Sequence, residues 1–217
     1  MFDAACILLA GGHSRRMGRD KGLLTLPAAG EDRDNRERKS FAGQLIATLA
    51  PLCRETLLVV RDSVQAAEYA ATTVGHEGQQ YMQLVMDRVP NVGPLMGLYS
   101  GLSAMQTALA LVVAIDMPYV QPELAAFLLS QSMNNTGISD ENLLVPVVGG
   151  TPQVLLAVYP RSTLSIIEMR LQEGRHDPRS LLSVAPVRYI EEAQLRQIDP
   201  DLRSFINVNR PEDLLQL

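Results

Sequence analysis

Residues 9–21, LAGGHSRRMGRDK, carry the chain from an apolar strand into a loop of glycines and cations. The run at residues 6–10 is uniformly apolar and predicts a buried strand. Glycines let backbone N–H groups approach a ligand closely, and successive N–H groups form a concave site for an anion. Three arginines and Lys21 add positive charge, and guanidinium groups bind phosphate through paired hydrogen bonds. The stretch therefore predicts a polyphosphate site at the end of the first strand.

The composition is that of a chain with enough apolar residues for one packed core. Its 217 residues are 47% hydrophobic, which predicts a single domain over residues 1–217. The net charge of −5, the low aromatic content and the absence of Trp argue against a nucleic-acid-binding protein. Cys6 and Cys53 match no metal or redox spacing, so we expect buried thiols. No apolar run reaches the roughly 20 residues of a membrane span, and the acidic start at Asp3 does not resemble a signal peptide. We therefore expect a cytoplasmic protein with no membrane partner.

Short apolar runs alternate with longer mixed segments along the chain. The predicted strands are 6–10, 57–60, 84–86, 111–115, 143–148 and 154–158. The predicted helices are 41–49, 64–71, 95–106, 122–131 and 163–173. This alternation predicts an α/β fold with a mainly parallel sheet, in which ligands bind at the carboxyl ends of the strands. Asp87 and Asp116 follow the third and fourth predicted strands, so both are candidate site residues.

The glycine-rich stretch matches neither of two common phosphate-binding motifs. The P-loop requires GxxxxGK[ST], but five residues separate Gly12 from Gly18, and Arg19 follows. The dinucleotide-binding pattern GxGxxG is also absent. The sequence therefore disfavours a P-loop ATPase and a dehydrogenase of the usual kind.

Four stretches, taken in order, resemble the nucleotidyltransferases that make the molybdenum cofactor. Residues 9–21 resemble the family's LAGGxSxRMGxDK, and Asp87 followed by GPLMGL at 93–98 resembles its D…GPLxGL. AIDMP at 114–118 resembles its xxDxP strand end, and FINVNRPEDL at 205–214 resembles its closing FxNxNTPEDL. The matches run through nearly the whole chain. The GPLMGL and NVN elements are more similar to the guanylyltransferases than to the cytidylyltransferases of the family.

The resemblance implies a Rossmann-like, three-layer α/β/α fold and a GTP-dependent transfer. The substrates would be GTP and Mo-molybdopterin, with Mg²⁺ as cofactor, and the products would be the guanine dinucleotide cofactor and pyrophosphate. It also implies transient contacts with the enzyme that supplies molybdopterin and with the molybdoenzymes that receive the product. We expect a monomer.

The resemblance implies site residues at the positions that match the family's motifs. The implied catalytic residues are Arg16, Lys21 and Asp116, and Asp116 is also the implied metal ligand. The implied nucleotide contacts are Leu9, Ala10, Gly11, Gly12, Lys21, Asp87 and Asp116, and the implied molybdopterin contacts are Asn207 and Asn209.

Each of these residue types also has a purely structural interpretation. Asp116 is a possible helix cap, Asp87 a turn residue before Pro90, and Lys21 a solvated surface cation. Asn207 and Asn209 are two residues apart and face one way in an extended segment, but asparagine is also common in turns. Amide groups both donate and accept hydrogen bonds, which suits a pterin.

The chain departs from the family pattern at several places. Arg61 stands where many relatives have an asparagine that contacts the nucleotide, and Arg210 replaces the usual threonine of NTPEDL. The loop 27–39 is longer than usual, and its EDRDNRERK segment balances four acids against four bases, as expected of a solvated loop. The three histidines, His13, His76 and His176, form no metal spacing. Arg175 and Arg179 are either helix-end cations or ligands of the pterin phosphate.

Two alternatives stay open at the level of sequence. One is another member of the superfamily, such as a CTP-dependent molybdopterin cytidylyltransferase or a sugar-phosphate nucleotidyltransferase. The other is a non-catalytic nucleotide-binding regulator, which the presence of Lys21 and Asp116 disfavours. Pyrophosphate release distinguishes an enzyme from a regulator.

Overall fold

The computed structural model describes residues 1–11, 20–26, 39–73, 82–133, 141–209 and 213. The strands in these residues are β1 (Phe2–Leu9), β2 (Cys53–Val60), β3 (Met82–Met86), β4 (Leu109–Ala114), β5 (Leu143–Val148), β6 (Thr151–Pro152), β7 (Leu156–Pro160) and β8 (Val187–Ile190). The α-helices are α1 (Phe41–Leu49), α2 (Ser63–Thr73), α3 (Pro94–Ala104), α4 (Pro122–Gln131), α5 (Leu164–Gln172) and α6 (Glu192–Leu195). Short 3₁₀ helices include Lys21–Leu23 and Pro178–Ser183.

One sheet organises these strands. Its order is β3-β2-β1-β4-β7-β5-β6, with β8 beside β5. The pairs among β3, β2, β1 and β4 are parallel, as is β5 with β8, whereas β7 is antiparallel to both β4 and β5. The predicted mostly parallel sheet is confirmed, with an antiparallel strand inserted beside β4.

The two faces of the sheet are covered by helices, which gives three layers. Alternate residues of β1 point to opposite faces, so that Cys6 and Leu8 join one buried cluster and Ala5 and Ile7 the other. The first cluster includes side chains of α1, α2 and α4, and the second includes side chains of α3 and α5. Both cysteines are free and buried, as expected.

Local sequence explains where the helices beside the site begin. The hydroxyl of Ser40 accepts a hydrogen bond of 3.1 Å from the Gly43 N–H and caps α1. Pro94 occupies the first turn of α3, where its missing N–H costs nothing. Gly93 precedes it with φ at 126°, a conformation that favours glycine. These signals place the start of α3 next to the ends of β1 and β2.

No helix of the described residues is long and apolar enough to cross a membrane. The predicted single domain and cytoplasmic location stay predictions.

Candidate active site

A crevice of about 350 Å³ opens at the carboxyl ends of β1, β2 and β4. Six of the predicted site residues line it: Leu9, Ala10, Gly11, Lys21, Asp87 and Asp116. They come from four separate stretches of sequence, and the parallel pairing of the strands brings those stretches to one edge. Gly12 and Arg16, the remaining predicted residues of the glycine-rich loop, lie outside the described residues, as do His13 and Arg19.

The end of β1 is fixed by hydrogen bonds to both neighbouring strands. The Ala10 N–H donates to the Val59 carbonyl at 2.8 Å, and the Ile115 N–H donates to the Leu9 carbonyl at 3.0 Å. These bonds hold the backbone that leads into the glycine-rich loop. The predicted nucleotide contacts at Leu9 and Ala10 therefore lie on a rigid strand end.

Lys21 joins two other segments at the crevice. Its Nζ lies 3.4 Å from Oδ2 of Asp116 and donates a hydrogen bond of 2.8 Å to Oδ1 of Asn209. The Lys21 and Asp116 side chains are only 20% and 25% exposed, so their charges interact with less screening than on an open surface. A cation and a carboxylate thus stand side by side at the predicted phosphate end.

The segment that carries the two asparagines is tied to the end of β4. The Val208 N–H donates to the Asp116 carbonyl at 2.8 Å, and the Asn209 N–H donates to Oδ2 of Asp213 at 2.7 Å. Val208 is buried, whereas Asn207 and Asn209 are exposed on either side of it. The sequence predicted that both asparagines contact molybdopterin, which stays a prediction. It did not predict the contact between Asn209 and Lys21.

Asp87 lines the same crevice after β3, on the other side of β1 from Asp116, and its surroundings differ. Its N–H donates to the Val60 carbonyl at 2.8 Å, and its Oδ1 is shielded from solvent without a hydrogen-bond partner among the described residues. Desolvation raises the pKa of Asp87 to about 7, although the charge of Arg61 opposes the shift. Arg61 itself forms an ion pair of 2.8 Å with Asp62.

Two glycines leave room for the Asp87 carboxyl. A Cβ on Gly11 would lie 3.1 Å from Oδ2 of Asp87, and one on Gly97 would lie 3.4 Å from Oδ1. The carboxyl therefore sits between the end of β1 and the first turn of α3. A carboxyl with an unsatisfied oxygen in such a slot is suited to accept hydrogen bonds from a ligand.

The start of α3 rests on a loop that the sequence did not connect with the site. The Leu95 N–H donates to the His176 carbonyl at 3.1 Å, and a Cβ on Gly93 would lie 3.3 Å from the same backbone. His176 is exposed, and so are Arg175 and Arg179 beside it. Residues 174–182, GRHDPRSLL, thus border the turn at Gly93 and Pro94 through the backbone of His176.

The structure also contains polar residues behind the crevice that sequence reasoning missed. Gln65 and Tyr69 lie on α2 and are buried, and both side chains donate hydrogen bonds to Asp20. Asp20 belongs to the glycine-rich stretch at 9–21 that resembles the family motif, but no pattern in α2 identified Gln65 and Tyr69 as its partners. A polar residue and an aromatic residue four positions apart on a helix are only a weak signal, because most such pairs have no link to a site.

The oxygen ligands at the crevice suit a hard cation that is also bound by phosphate oxygens. Among the described residues no three His, Cys, Asp or Glu side chains come together as a metal site. Asp116 supplies one carboxylate beside the predicted phosphate end. Mg²⁺ is commonly held by one or two carboxylates, with phosphate oxygens and water completing its shell. The residues therefore fit a Mg²⁺ ion that arrives with a nucleotide.

Comparisons with known proteins agree with this arrangement. The family model of the MobA-like NTP transferase domain matches residues 6–193. The chain belongs to the MobA-like NTP transferase family. The match includes the glycine-rich loop, both aspartates and α3, so the resemblance read from the sequence is confirmed.

Individual relatives cover nearly the whole chain. A probable molybdenum cofactor guanylyltransferase of Chloroflexus aggregans is 35% identical over 96% of this chain and 90% of its own length. A protein of the same description from Methanosarcina mazei is 30% identical over 97% of this chain and 88% of its own. The crystal structure of molybdopterin-guanine dinucleotide biosynthesis protein A from Archaeoglobus fulgidus is 26% identical with a TM-score of 0.75, covering 98% of this chain and 95% of that one. The Rossmann-like nucleotidyltransferase fold is thereby confirmed.

Proposed function

We propose that this chain transfers GMP from GTP to the terminal phosphate of Mo-molybdopterin. The products are the molybdopterin guanine dinucleotide cofactor and pyrophosphate. The observation that carries the proposal is the juxtaposition of Lys21 with Asp116, at 3.4 Å, beside the end of β1. The relatives from Chloroflexus and Methanosarcina, both described as probable molybdenum cofactor guanylyltransferases, support the choice of both substrates.

In the proposed reaction an oxygen of the molybdopterin phosphate attacks the α-phosphorus of GTP. The new P–O bond forms as the bond between the α-phosphorus and the bridging oxygen breaks, and that oxygen leaves with pyrophosphate. Two anions must approach each other, so the barrier is lowered mainly by positioning and by neutralising charge. Lys21 would bind the phosphates, and Arg16 in the same loop would add a second cation.

Asp116 would hold the Mg²⁺ that accompanies the triphosphate. When bound, Mg²⁺ supplies positive charge to the phosphate oxygens. Asp116 would orient the nucleotide through this ligation, while its contact with Lys21 keeps the ammonium group at the same place. The carboxylate and the cation would thus act together on one phosphate group.

Asp87, on the other side of β1 from Asp116, would recognise the base. A carboxylate only accepts hydrogen bonds, and guanine presents two donors side by side, N1–H and the exocyclic amino group. Adenine presents an acceptor at N1, which a carboxylate repels. The unsatisfied Oδ1 of Asp87 and the space beside Gly11 and Gly97 support this role.

The second substrate would approach from the side of Asn207 and Asn209. Their exposed amides can donate to and accept from a pterin. The enzyme that supplies molybdopterin and the molybdoenzymes that receive the product would then make transient contacts near this side. We propose that the protein works as a cytoplasmic monomer.

The test is nucleotide-dependent pyrophosphate release with Mo-molybdopterin, Mg²⁺ and each of GTP, CTP, ATP and UTP. We expect release with GTP, together with formation of the guanine dinucleotide cofactor. Release with CTP alone would replace the base assignment and keep the mechanism. Tight GTP binding without release from any nucleotide would identify a regulator in place of an enzyme.

A further inference from the structure

A network of buried polar side chains lies directly behind the proposed phosphate site. Asp20 precedes Lys21, and its Oδ1 accepts a hydrogen bond of 2.5 Å from the Tyr69 hydroxyl and one of 3.1 Å from the Gly22 N–H. Its Oδ2 accepts a hydrogen bond from the side-chain amide of Gln65. Both oxygens of Asp20 are therefore engaged by protein donors, and the carboxylate serves the protein itself.

Gln65 connects the two ends of the glycine-rich loop. Its Nε2 donates to the Ala10 carbonyl at 2.8 Å as well as to Asp20, and its Oε1 accepts from the Arg61 N–H at 2.6 Å. Ala10 is the last residue before the glycines, and Asp20 is the last before Lys21. Gln65 is 1% exposed, and its amide holds the glycine-rich loop at both ends, at Ala10 and at Asp20. Both N–H groups and the oxygen of the amide are engaged, so little rotation is left to it.

Tyr69 completes the support from one turn further along α2. Burial raises the pKa of the Tyr69 hydroxyl, so it stays a donor to Asp20 throughout the physiological range. A Cβ on Gly22 would collide with this hydroxyl and would lie 2.7 Å from Cγ1 of Ile115. The backbone on either side of Lys21 is therefore held against α2 and the end of β4. A hydrogen bond to a charged acceptor at a buried site is also among the stronger ones.

We infer that Gln65 and Tyr69 are positioning residues for the nucleotide: through Asp20 they hold Lys21 and the base of the glycine-rich loop in the geometry that receives the phosphates. This inference rests on the proposed function, because it takes the nucleotide to bind against Lys21. The two residues touch neither substrate. Their effect passes through the Asp20 carboxylate and the backbone at Ala10.

The chain offers a matched control for the hydroxyl of Tyr69. Tyr159 is also fully buried, and its hydroxyl donates to the Val154 carbonyl at 2.7 Å on the other face of the sheet. Tyr69→Phe and Tyr159→Phe each remove one buried hydroxyl. Loss of stability alone should appear in both variants, whereas loss of GTP affinity should appear only in Tyr69→Phe.

The experiment measures the affinity for Mg²⁺–GTP by calorimetry without molybdopterin, in wild type, Tyr69→Phe, Tyr159→Phe, Lys21→Ala and the Tyr69→Phe/Lys21→Ala double variant. We expect Tyr69→Phe to weaken GTP binding about tenfold, the scale for losing a hydrogen bond to a charged group, and Tyr159→Phe to match wild type. In the Lys21→Ala background the loss should shrink to less than about threefold, because the cation that Tyr69 positions is gone. In steady state, KM for GTP should rise while KM for molybdopterin stays constant.

The outcomes separate this inference from the proposed function. Failure of wild type to bind GTP would defeat the proposed function and this inference with it. Normal binding by wild type and by Tyr69→Phe, or an equal loss in both tyrosine variants, would overturn this inference alone. If Tyr69→Phe does not fold, Gln65→Met replaces it in the cycle, because it keeps the chain length of the side chain and removes the amide. The same pattern of affinities is then expected, and unchanged GTP binding in that variant overturns the inference.

Discussion

Asp87 and Asp116 both follow a parallel strand and line the same crevice, but their surroundings differ. Asp116 lies 3.4 Å from the ammonium group of Lys21. Asp87 has one oxygen shielded from solvent without a partner among the described residues, and the pKa of its carboxyl is raised to about 7. One carboxylate is placed beside a cation before any ligand arrives, and the other keeps an oxygen that no described residue engages.

The difference shows that an aspartate after a parallel strand can lie in two electrostatic environments, beside a cation or desolvated. A carboxylate near a cation is suited to hold a metal and to orient charge. A desolvated carboxyl without a partner is costly for the folded protein, and such costs are typical of binding sites. The two carboxyl groups of the crevice therefore differ in their electrostatic surroundings, since one lies beside a cation and the other is desolvated.

The phosphate end should show the largest effect of a single substitution. We expect Asp116→Ala and Lys21→Ala each to lower turnover by at least about 10²-fold, the usual loss on removing an electrostatic stabiliser of a transition state. Asp3→Ala is the control, because Asp3 is 74% exposed at the far end of β1 and pairs with Arg54. Near-normal pyrophosphate release by either site variant would contradict the assignment of that residue.

The proposed base site at Asp87 should affect choice of nucleotide more than turnover. Asp87→Asn keeps the shape of the side chain but replaces an acceptor oxygen with a donor amide. We expect the preference for GTP over ATP, measured as the ratio of kcat/KM values, to fall about tenfold or more, since a two-point contact with a base supplies discrimination of this order. An unchanged ratio would show that Asp87 does not recognise the base. The proposed difference in role between Asp87 and Asp116 would then be wrong.

The raised pKa of Asp87 predicts that the stability of the protein depends on pH. The folded protein keeps a proton on Asp87 that the unfolded chain, with a pKa near 3.8, has released. The stability from this group is therefore fully present below about pH 3.8 and is lost as the pH rises through about 7. Denaturant unfolding of the ligand-free protein at pH 5, 6, 7 and 8 measures the loss.

The same titration should act on GTP binding in the opposite direction. The ionised carboxylate is the form that accepts from guanine, so affinity for GTP should rise between pH 6 and pH 8. Asp87→Asn should remove both trends. A variant that keeps the pH slope of stability would assign the titration to another group.

The smallest predicted effect concerns the two asparagines near the phosphate end. Asn209→Ala removes the 2.8 Å contact with Lys21, so we expect affinity for Mg²⁺–GTP to fall about threefold to tenfold, as for one ordinary hydrogen bond. Asn207→Ala should leave GTP affinity unchanged and raise KM for molybdopterin. If both variants alter only the molybdopterin parameters, the contact with Lys21 has no role in nucleotide binding.

Local signals predicted most of the fold. The predicted helices at 41–49 and 122–131 and the strand at 143–148 have the bounds that the structure shows, because caps, prolines and apolar runs mark their ends. The strand β8 was missed, since it has only four residues and a partly exposed pattern. The strand predicted at 154–158 lies at Leu156–Pro160 instead, and it runs antiparallel because the short hairpin through β6 leaves no room for a crossover helix.

The candidate site was predictable where single motifs carried it. Lys21, Asp87 and Asp116 line the crevice because each stands at the end of a strand or beside the glycine-rich loop. The contacts that join separate motifs were not predictable, such as Asn209 with Lys21 and Tyr69 with Asp20. These contacts depend on packing between segments far apart in sequence, which local sequence patterns do not predict.

The contact between Lys21 and Asn209 joins positions 188 residues apart, and this separation matters for the nascent protein. During translation Lys21 has left the ribosome long before Asn209 is added. Most of the sheet can therefore assemble while the contact between Lys21 and Asn209 is still absent. A chain that terminates before Val208 lacks both the hydrogen bond to the Asp116 carbonyl and the contact between Lys21 and Asn209. The Lys21 end of the site is thus completed only after Asn209 has been synthesised.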